Sequence, residues 1–498
     1  MLKKTIISLL CIISILLMSS CSSSPGLEDM EYAPESDLSK MPNEEYNEIV
    51  ENDFIDAKKQ PKSSFSLDTS TYAYSNIRRL INDGVLVNAD AVVIEQMLNY
   101  FNYSYVNQTE DALNSTLELG ICPWNPNNYL AAVAVKAKDI ELADQANNFV
   151  LLIDVSGSMN SENKIGLLRS SFKLFVDQLG QNDTVSIVTY ASGVSTVIDG
   201  VNGSEKTQLL DAISSLEASG GTNGSGGIQR AYELARKHFV QDGNNRVLLA
   251  TDGDFNVGLS GNDLIDFISE KRASGIYLST FGYGMGNTNH KTMEDLAVNG
   301  NGNAYYIDSL LEAKKVFVNE LGGTMLTVAK DAKAQVEFNP EAVNAYRLLG
   351  YENKQMSEDE FNDSNKDAGE IGSGHTTIAM FEIVPTENFL NSEFIFKSIL
   401  RYKTPETNED KEVINNYTEL VDVTDDFEFA SFVVEFALLL RDSKYKGEAT
   451  YEHLQARIAE ANVDGNTYFK DDFYRLEFVG LVNTAKRLYE ESLTNNNQ

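Results

Sequence analysis

The sequence predicts an α/β fold: a doubly wound, mainly parallel sheet inserted in a flanking β-sandwich, with additional helices at the N- and C-terminal sides. Three observations carry this. Short, wholly apolar runs such as Phe149-Val150-Leu151-Leu152-Ile153 and Leu248-Leu249-Ala250 read as parallel strands buried on both faces. Stretches with helical apolar spacing alternate with them, as a doubly wound sheet requires. Segments with period-two alternation lie on both sides of that region, which places the parallel sheet as an insertion.

In chain order, Lys3-Lys4, the apolar stretch Ile6–Met18 and the small residues Ser19-Ser20 before Cys21 read as a targeting segment. The stretch is shorter than the roughly 17 to 25 residues a spanning helix needs. Met18-Ser19-Ser20-Cys21 resembles a bacterial lipobox with Met where Leu is usual, which implies cleavage before Cys21 and lipidation of its thiol. Acyl chains there would anchor the protein to a bacterial envelope membrane, the outer one where the organism has it. Residues 21–42, rich in Ser, Pro and acid, read as a flexible tether.

An N-terminal flanking domain is expected over 43–145. Phe65–Asp68 reads as a short strand, Tyr74–Asn82 and Ala89–Phe101 as helices, and Tyr129–Lys138 as a strand with Ala131, Val133 and Val135 on one face. The inserted domain is expected over 146–321. There a helix over Lys164–Leu179 shows a stripe at Ile165, Leu168, Phe172, Phe175 and Leu179. Strands follow at Thr184–Tyr190, Arg246–Ala250, Ile276–Tyr283 and Ala304–Ile307, with helices over Gly226–Phe239 and Ser309–Glu320. A C-terminal domain over 322–498 should hold strands at Ala334–Phe338, His375–Val384 and Phe394–Tyr402 and a polar hairpin loop over Thr404–Asn416. Helices over Glu428–Leu440, Tyr451–Glu460 and Asp471–Tyr489 close the chain.

The chemistry is concentrated where apolar strands end. Asp154-Val155-Ser156-Gly157-Ser158 follows the first run, Gly220-Gly221-Thr222 lies in a glycine-rich loop, and Thr251-Asp252-Gly253 ends another strand. In an open parallel sheet, ligands gather outside the carboxyl ends of strands at the switch point of strand order. Each piece alone has a plainer reading, a helix N-cap for Asp-x-Ser and a turn for Thr-Asp-Gly. Together, in this order, they resemble the metal-ion-dependent adhesion site of von Willebrand factor A domains. The resemblance implies that Ser156, Ser158 and Thr222 ligate a divalent cation while Asp154 and Asp252 hold its waters. Mg2+ is the first choice, with Mn2+ or Ca2+ as substitutes, since hard cations take oxygen donors. It also implies an open coordination position for the Asp or Glu carboxylate of a protein partner.

Two calcium-loop patterns compete. Asp252-x-Asp254-x-Asn256 has Val257 where glycine is needed and Asp263 where a bidentate Glu belongs, and Asp363-x-Asn365-x-Asp367 has Ala368 at the glycine position. Outside the inserted domain, Asn43-Glu44-Glu45-Tyr46 with Phe65-Ser66-Leu67-Asp68-Thr69 and Asn99-Tyr100-Phe101 resembles the N-terminal module of YfbK-type lipoproteins. Val336-Glu337-Phe338-Asn339-Pro340, Tyr346–Glu352 and Asp367–Gly372 resemble their C-terminal domain.

Of 498 residues, 42% are hydrophobic and 10% aromatic, enough for folded cores in about three domains. The 74 acidic residues against 40 basic ones give a net charge of -34, which repels phosphate backbones and argues against nucleic-acid binding. With Cys11 in the leader and Cys21 lipidated, Cys122 is left without a disulfide partner. It reads as a small buried hydrophobe. There is no Gly-x-Ser-x-Gly elbow, His-Glu-x-x-His pair or phosphate-loop lysine, and His238, His290, His375 and His453 are scattered. The expected function is therefore binding without catalysis. An envelope assembly or chaperone factor working with a MoxR-type ATPase is the alternative.

Overall fold

The computed structural model describes residues 44, 46–140, 145–253, 262–284, 290–405, 407–417, 422–461, 469 and 472–495. The leader, the tether and Cys21 lie outside the described residues, as do Asp254, Asn256 and Val257 of the first calcium-loop pattern.

The six-stranded sheet runs in space Ala304–Ile307, Tyr277–Tyr283, Asn244–Thr251, Asn147–Asp154, Asp183–Tyr190, Val194–Asn202. All pairings are parallel except the last, where Val194–Asn202 closes one edge antiparallel. Every residue of the two central strands is buried, which is why the runs Phe149–Ile153 and Val247–Ala250 are apolar without alternation. Side chains still alternate in direction. Phe149, Leu151 and Ile153 pack with Leu168, Phe172 and Phe175 on one face. Val150 and Leu152 pack with Ile228, Ala231 and Leu234 on the other. After Asn147–Asp154 the chain fills one side of the sheet and then crosses to Asn244–Thr251 on the other. The switch point therefore lies between the ends carrying Asp154 and Asp252.

Two antiparallel layers form the sandwich, one of five strands and one of six. One runs Ile55–Asp56, Val343–Leu349, Thr376–Pro385, Tyr129–Ala137, Leu113–Ile121. The other runs Gln355–Met356, Lys62–Ser66, Thr327–Phe338, Phe396–Lys403, Asp410–Tyr417, with Gly369–Gly372 pairing off Thr327–Phe338. Phe65, Val336 and Phe338 from the second meet Val133, Tyr346 and Phe381 from the first in one core. Strands before the parallel sheet pair with strands after it, Lys62–Ser66 with Thr327–Phe338 and Tyr129–Ala137 with Thr376–Pro385, so the parallel sheet is inserted in the sandwich. Helices Asp425–Leu440, Tyr451–Ala461 and Phe473–Asn495 join Tyr72–Asn82 and Ile94–Leu98 around an aromatic core that includes Tyr74, Phe101, Phe429, Phe436 and Phe478. Among the described residues no helix is long and apolar enough to cross a membrane.

Two expectations need correction. Most of the polar stretch Thr404–Asn416 is not a loop: Asp410–Tyr417 is a strand in register with Phe396–Lys403. Its exposed residues are Asp410, Glu412, Ile414 and Asn416, and charge such as that of Asp410 and Glu412 on an edge discourages pairing with other chains. The helix expected over Ala89–Phe101 is broken. A 3-10 turn, Ala89–Ala91, is capped by the Asn88 side chain, Val92 and Val93 leave helical geometry, and the helix proper is only Ile94–Leu98.

Arg78 ties these parts together. Its guanidinium makes a forked pair with Asp308 at 2.6 and 2.8 Å, reaches Glu312 at 2.7 Å and Glu477 at 3.0 Å, and donates to the Tyr100 hydroxyl at 2.6 Å. It is 2% exposed. One side chain thus joins the N-terminal helix, the end of the parallel-sheet domain and the last helix. Glu312, fully buried, has its pKa pushed up to about 7 by burial, with Arg78 pulling it down and Asp308 up.

Candidate metal centre

Asp154 ends its strand fully buried, and both carboxylate oxygens are held. The Ser156 main-chain N–H donates to Oδ1 at 2.8 Å and the Thr251 hydroxyl to Oδ2 at 3.0 Å. The chain then turns through a 3-10 segment, Gly157–Met159, anchored by the buried Met159 side chain. This turn brings the Ser156 and Ser158 hydroxyl oxygens within 2.9 Å of each other. Ser156 is buried while Ser158 is exposed, so the pair lines a mouth that opens outward from Asp154.

The Thr222 loop is stitched to this turn by main-chain bonds. Gly157 N–H donates to the Gly220 carbonyl at 2.9 Å and Ser219 N–H to the Val155 carbonyl at 2.8 Å. Gly220 adopts φ +83°, a conformation only glycine takes without strain, and Gly221 N–H is fixed by the Ser192 hydroxyl at 2.7 Å. Thr222, half-buried, precedes the helix Gly224–Lys237, whose first turn is capped by Asn223.

Asp252 follows the neighbouring strand and is fully buried. Its Oδ2 lies 2.9 Å from the Lys164 ammonium. Burial raises the pKa of Asp154 above the ordinary carboxylate value. The Asp252 charge adds to this, and the hydrogen bonds from Ser156 and Thr251 oppose it. Two buried carboxylates that repel each other, beneath a pair of hydroxyls, form an all-oxygen donor set suited to a hard divalent cation. Among the described residues no group of three or more His, Cys, Asp and Glu could hold a metal, so a site here depends on the hydroxyls.

The structure thus links Asp154 to Ser156 and Ser156 to Ser158 by hydrogen bonds, joins the Thr222 loop to them through the main chain, and sets Asp252 just past the end of the adjoining strand. Sequence reasoning missed Lys164, Thr251 and Ser192. Thr251 stood inside the Thr-Asp-Gly motif without a role, whereas nothing local marked Lys164. In the second calcium-loop pattern, Asp363 accepts from the Asn365 N–H at 2.8 Å and Asp367 pairs with Arg272 at 2.7 Å. Cys122 is fully buried in the aromatic core, and burial first, then Glu382, pushes its thiol well up.

Residues 148–319 match the von Willebrand factor type A domain family, residues 40–132 a family described as von Willebrand factor, and residues 323–488 the family described as uncharacterized protein YfbK, C-terminal. The chain is 36% identical over 468 residues to the uncharacterized protein YfbK of Escherichia coli (strain K12), covering 88% of this chain and 80% of that one. It is 25% identical over 195 residues to the uncharacterized protein sll0103 of Synechocystis, covering 39% of this chain and 45% of that one. Among solved structures, a von Willebrand factor type A protein from Catenulispora acidiphila aligns with a TM-score of 0.41 at 14% identity, covering 72% of this chain and 89% of that one.

Proposed function

This chain belongs to the YfbK family, built around a von Willebrand factor type A domain, and from that premise we propose that it is an envelope-anchored protein that binds a protein partner through a divalent cation. The observation that carries the proposal is the pair of hydroxyls, Ser156 and Ser158, 2.9 Å apart above a carboxylate whose two oxygens are both fixed. Ser156, Ser158 and Thr222 would hold the ion, Mg2+ foremost, while Asp154 and Asp252 order its waters. When bound, the ion supplies an electrophilic position for an Asp or Glu carboxylate of the partner.

The net charge of -34 sharpens this role. So acidic a chain repels another acidic surface, and a bound cation at the mouth gives a carboxylate one attractive place to dock. Neutral hydroxyl ligands suit that use, because they leave more of the ion's charge uncompensated than carboxylate ligands do. Cys21 is the proposed lipid attachment point, and no reaction is assigned to the site.

The test is a crosslinked pull-down from envelope extracts with the full-length protein, run with Mg2+, with chelator, and with Asp154→Ala after checking that the variant folds. A partner lost in both the chelated and the variant samples supports metal-bridged recognition. A partner indifferent to both overturns it. For the anchor, Cys21→Ala should move the protein from the membrane to the soluble fraction.

A further inference from the structure

One charged group at the centre has no part in that scheme. Lys164 is placed there by a turn of π-helix, Glu162–Gly166, inserted ahead of the regular helix Leu167–Gln178. Such insertions widen a helical turn, redirect its side chains and recur at functional sites. The stem of Lys164 passes over Gly284, just after the strand Tyr277–Tyr283. A Cβ at Gly284 would lie 2.6 Å from Lys164 Cγ and 2.8 Å from Cδ, so the missing side chain leaves the passage open. The Tyr306 hydroxyl donates to the Gly284 carbonyl and fixes that backbone. At the end of the passage the ammonium sits 2.9 Å from Asp252 Oδ2, with the lysine side chain 12% exposed and that of Asp252 fully buried. A surface lysine pair is exposed, mobile and worth little. This one is largely buried, with its stem against the Gly284 backbone and its ammonium on Asp252.

We infer that Lys164 is a resident counter-cation of the centre: it neutralises Asp252 while no divalent ion is bound and lowers the affinity for the ion, so that ion and partner carboxylate bind together. The inference rests on the proposed metal-bridged function. Asp154 and Asp252 need positive charge between them, and the ammonium supplies part of it. A divalent ion entering the same site meets that ammonium within a few ångströms, in surroundings where repulsion is weakly screened. An incoming carboxylate offsets the repulsion. By linkage, the partner then tightens ion binding by the same factor that the ion tightens partner binding.

The experiment titrates Mn2+ alone into the full-length protein, without any partner, and follows free Mn2+ by electron paramagnetic resonance. Asp154→Ala assigns the signal to the site. Lys164→Met keeps the stem without the charge, and Lys164→Gln is a second neutral variant should the first fail to fold. Mn2+ affinity should rise at least about tenfold in the two lysine variants. Binding by the wild-type protein with equal or weaker binding by the lysine variants overturns the role of Lys164 and leaves the metal site standing. No binding at millimolar Mn2+ by the wild-type protein or any variant overturns the metal site and this inference together.

Discussion

Replacing Arg78 with Met tests how the three parts of the chain are held together. The substitution keeps an aliphatic stem of similar reach but strands Glu312, which is fully buried, and Asp308 and Glu477, which each lose a charged partner. Removing one member of a buried ion pair costs about 3–5 kcal/mol. Loss of the guanidinium from beside the Tyr74 and Tyr100 rings, at 5.8 and 5.3 Å, adds about 0.5–1 kcal/mol each. The pH dependence carries the sign. Glu312 titrates at about 7 in the folded protein, above its ordinary 4.5, because burial outweighs Arg78. Its folded-state preference for the proton therefore stabilises fully below about pH 4.5 and is lost as pH rises through about 7. Without Arg78 the carboxyl is held neutral to higher pH, and ionising it costs about 1.4 kcal/mol for each further unit. The destabilisation should be about 4 kcal/mol at pH 6 and approach about 7 kcal/mol at pH 8. Urea unfolding followed by circular dichroism at both pH values measures it. A loss below about 1 kcal/mol, or one that is larger at pH 6 than at pH 8, would refute this account of the junction.

Two further outcomes are expected. Cys122, fully buried with its thiol pushed well up, should react with iodoacetamide only on unfolding, so native labelling at neutral pH should be negligible and denatured labelling complete. Gly369→Ala should cost about 3 kcal/mol or more, because a Cβ there runs into the main-chain carbonyl of Leu67, which cannot rotate away as a side chain can. Thermal unfolding reads the loss, and a melting temperature within a degree of wild type would contradict the packing described.

The centre of the fold was legible because its causes are local. The middles of strands buried on both faces are apolar, which exposed Phe149–Ile153 and Leu248–Ala250, and Asp154, Ser156, Ser158 and Asp252 lie within a few residues of the strand ends, whereas Thr222 lies in a loop between two helices. Alternation at Ala131, Val133 and Val135 likewise revealed a sandwich strand. The partners of Arg78 were hidden because they lie 230 and 399 residues away, and an arginine in a helix pattern reads as a surface residue. Lys164 was hidden in a similar way, since at ten positions past Asp154 it looks like the polar start of a helix, and only the π-turn and the bare backbone of Gly284 turn it inward. Asp410–Tyr417 escaped because an edge strand presents polar residues on the face that a pattern search takes for loop. Val92-Val93 misled in the opposite direction, since both fit an apolar stripe while their backbone leaves the helix.

The insertion of the parallel sheet has a consequence in time. Ser64 and Gln335, hydrogen-bonded across neighbouring strands of the sandwich, are 271 residues apart in the chain. At synthesis rates of about 5–20 residues per second, the strand Lys62–Ser66 waits on the order of 15 to 50 s for its partner to be made. During that wait the hairpin of Leu113–Ile121 and Tyr129–Ala137 can form, since its pairing is local. The whole parallel sheet is also complete before Thr327 is added. The parallel-sheet domain can therefore mature first, while the sandwich that frames it begins as an open half-core and closes last.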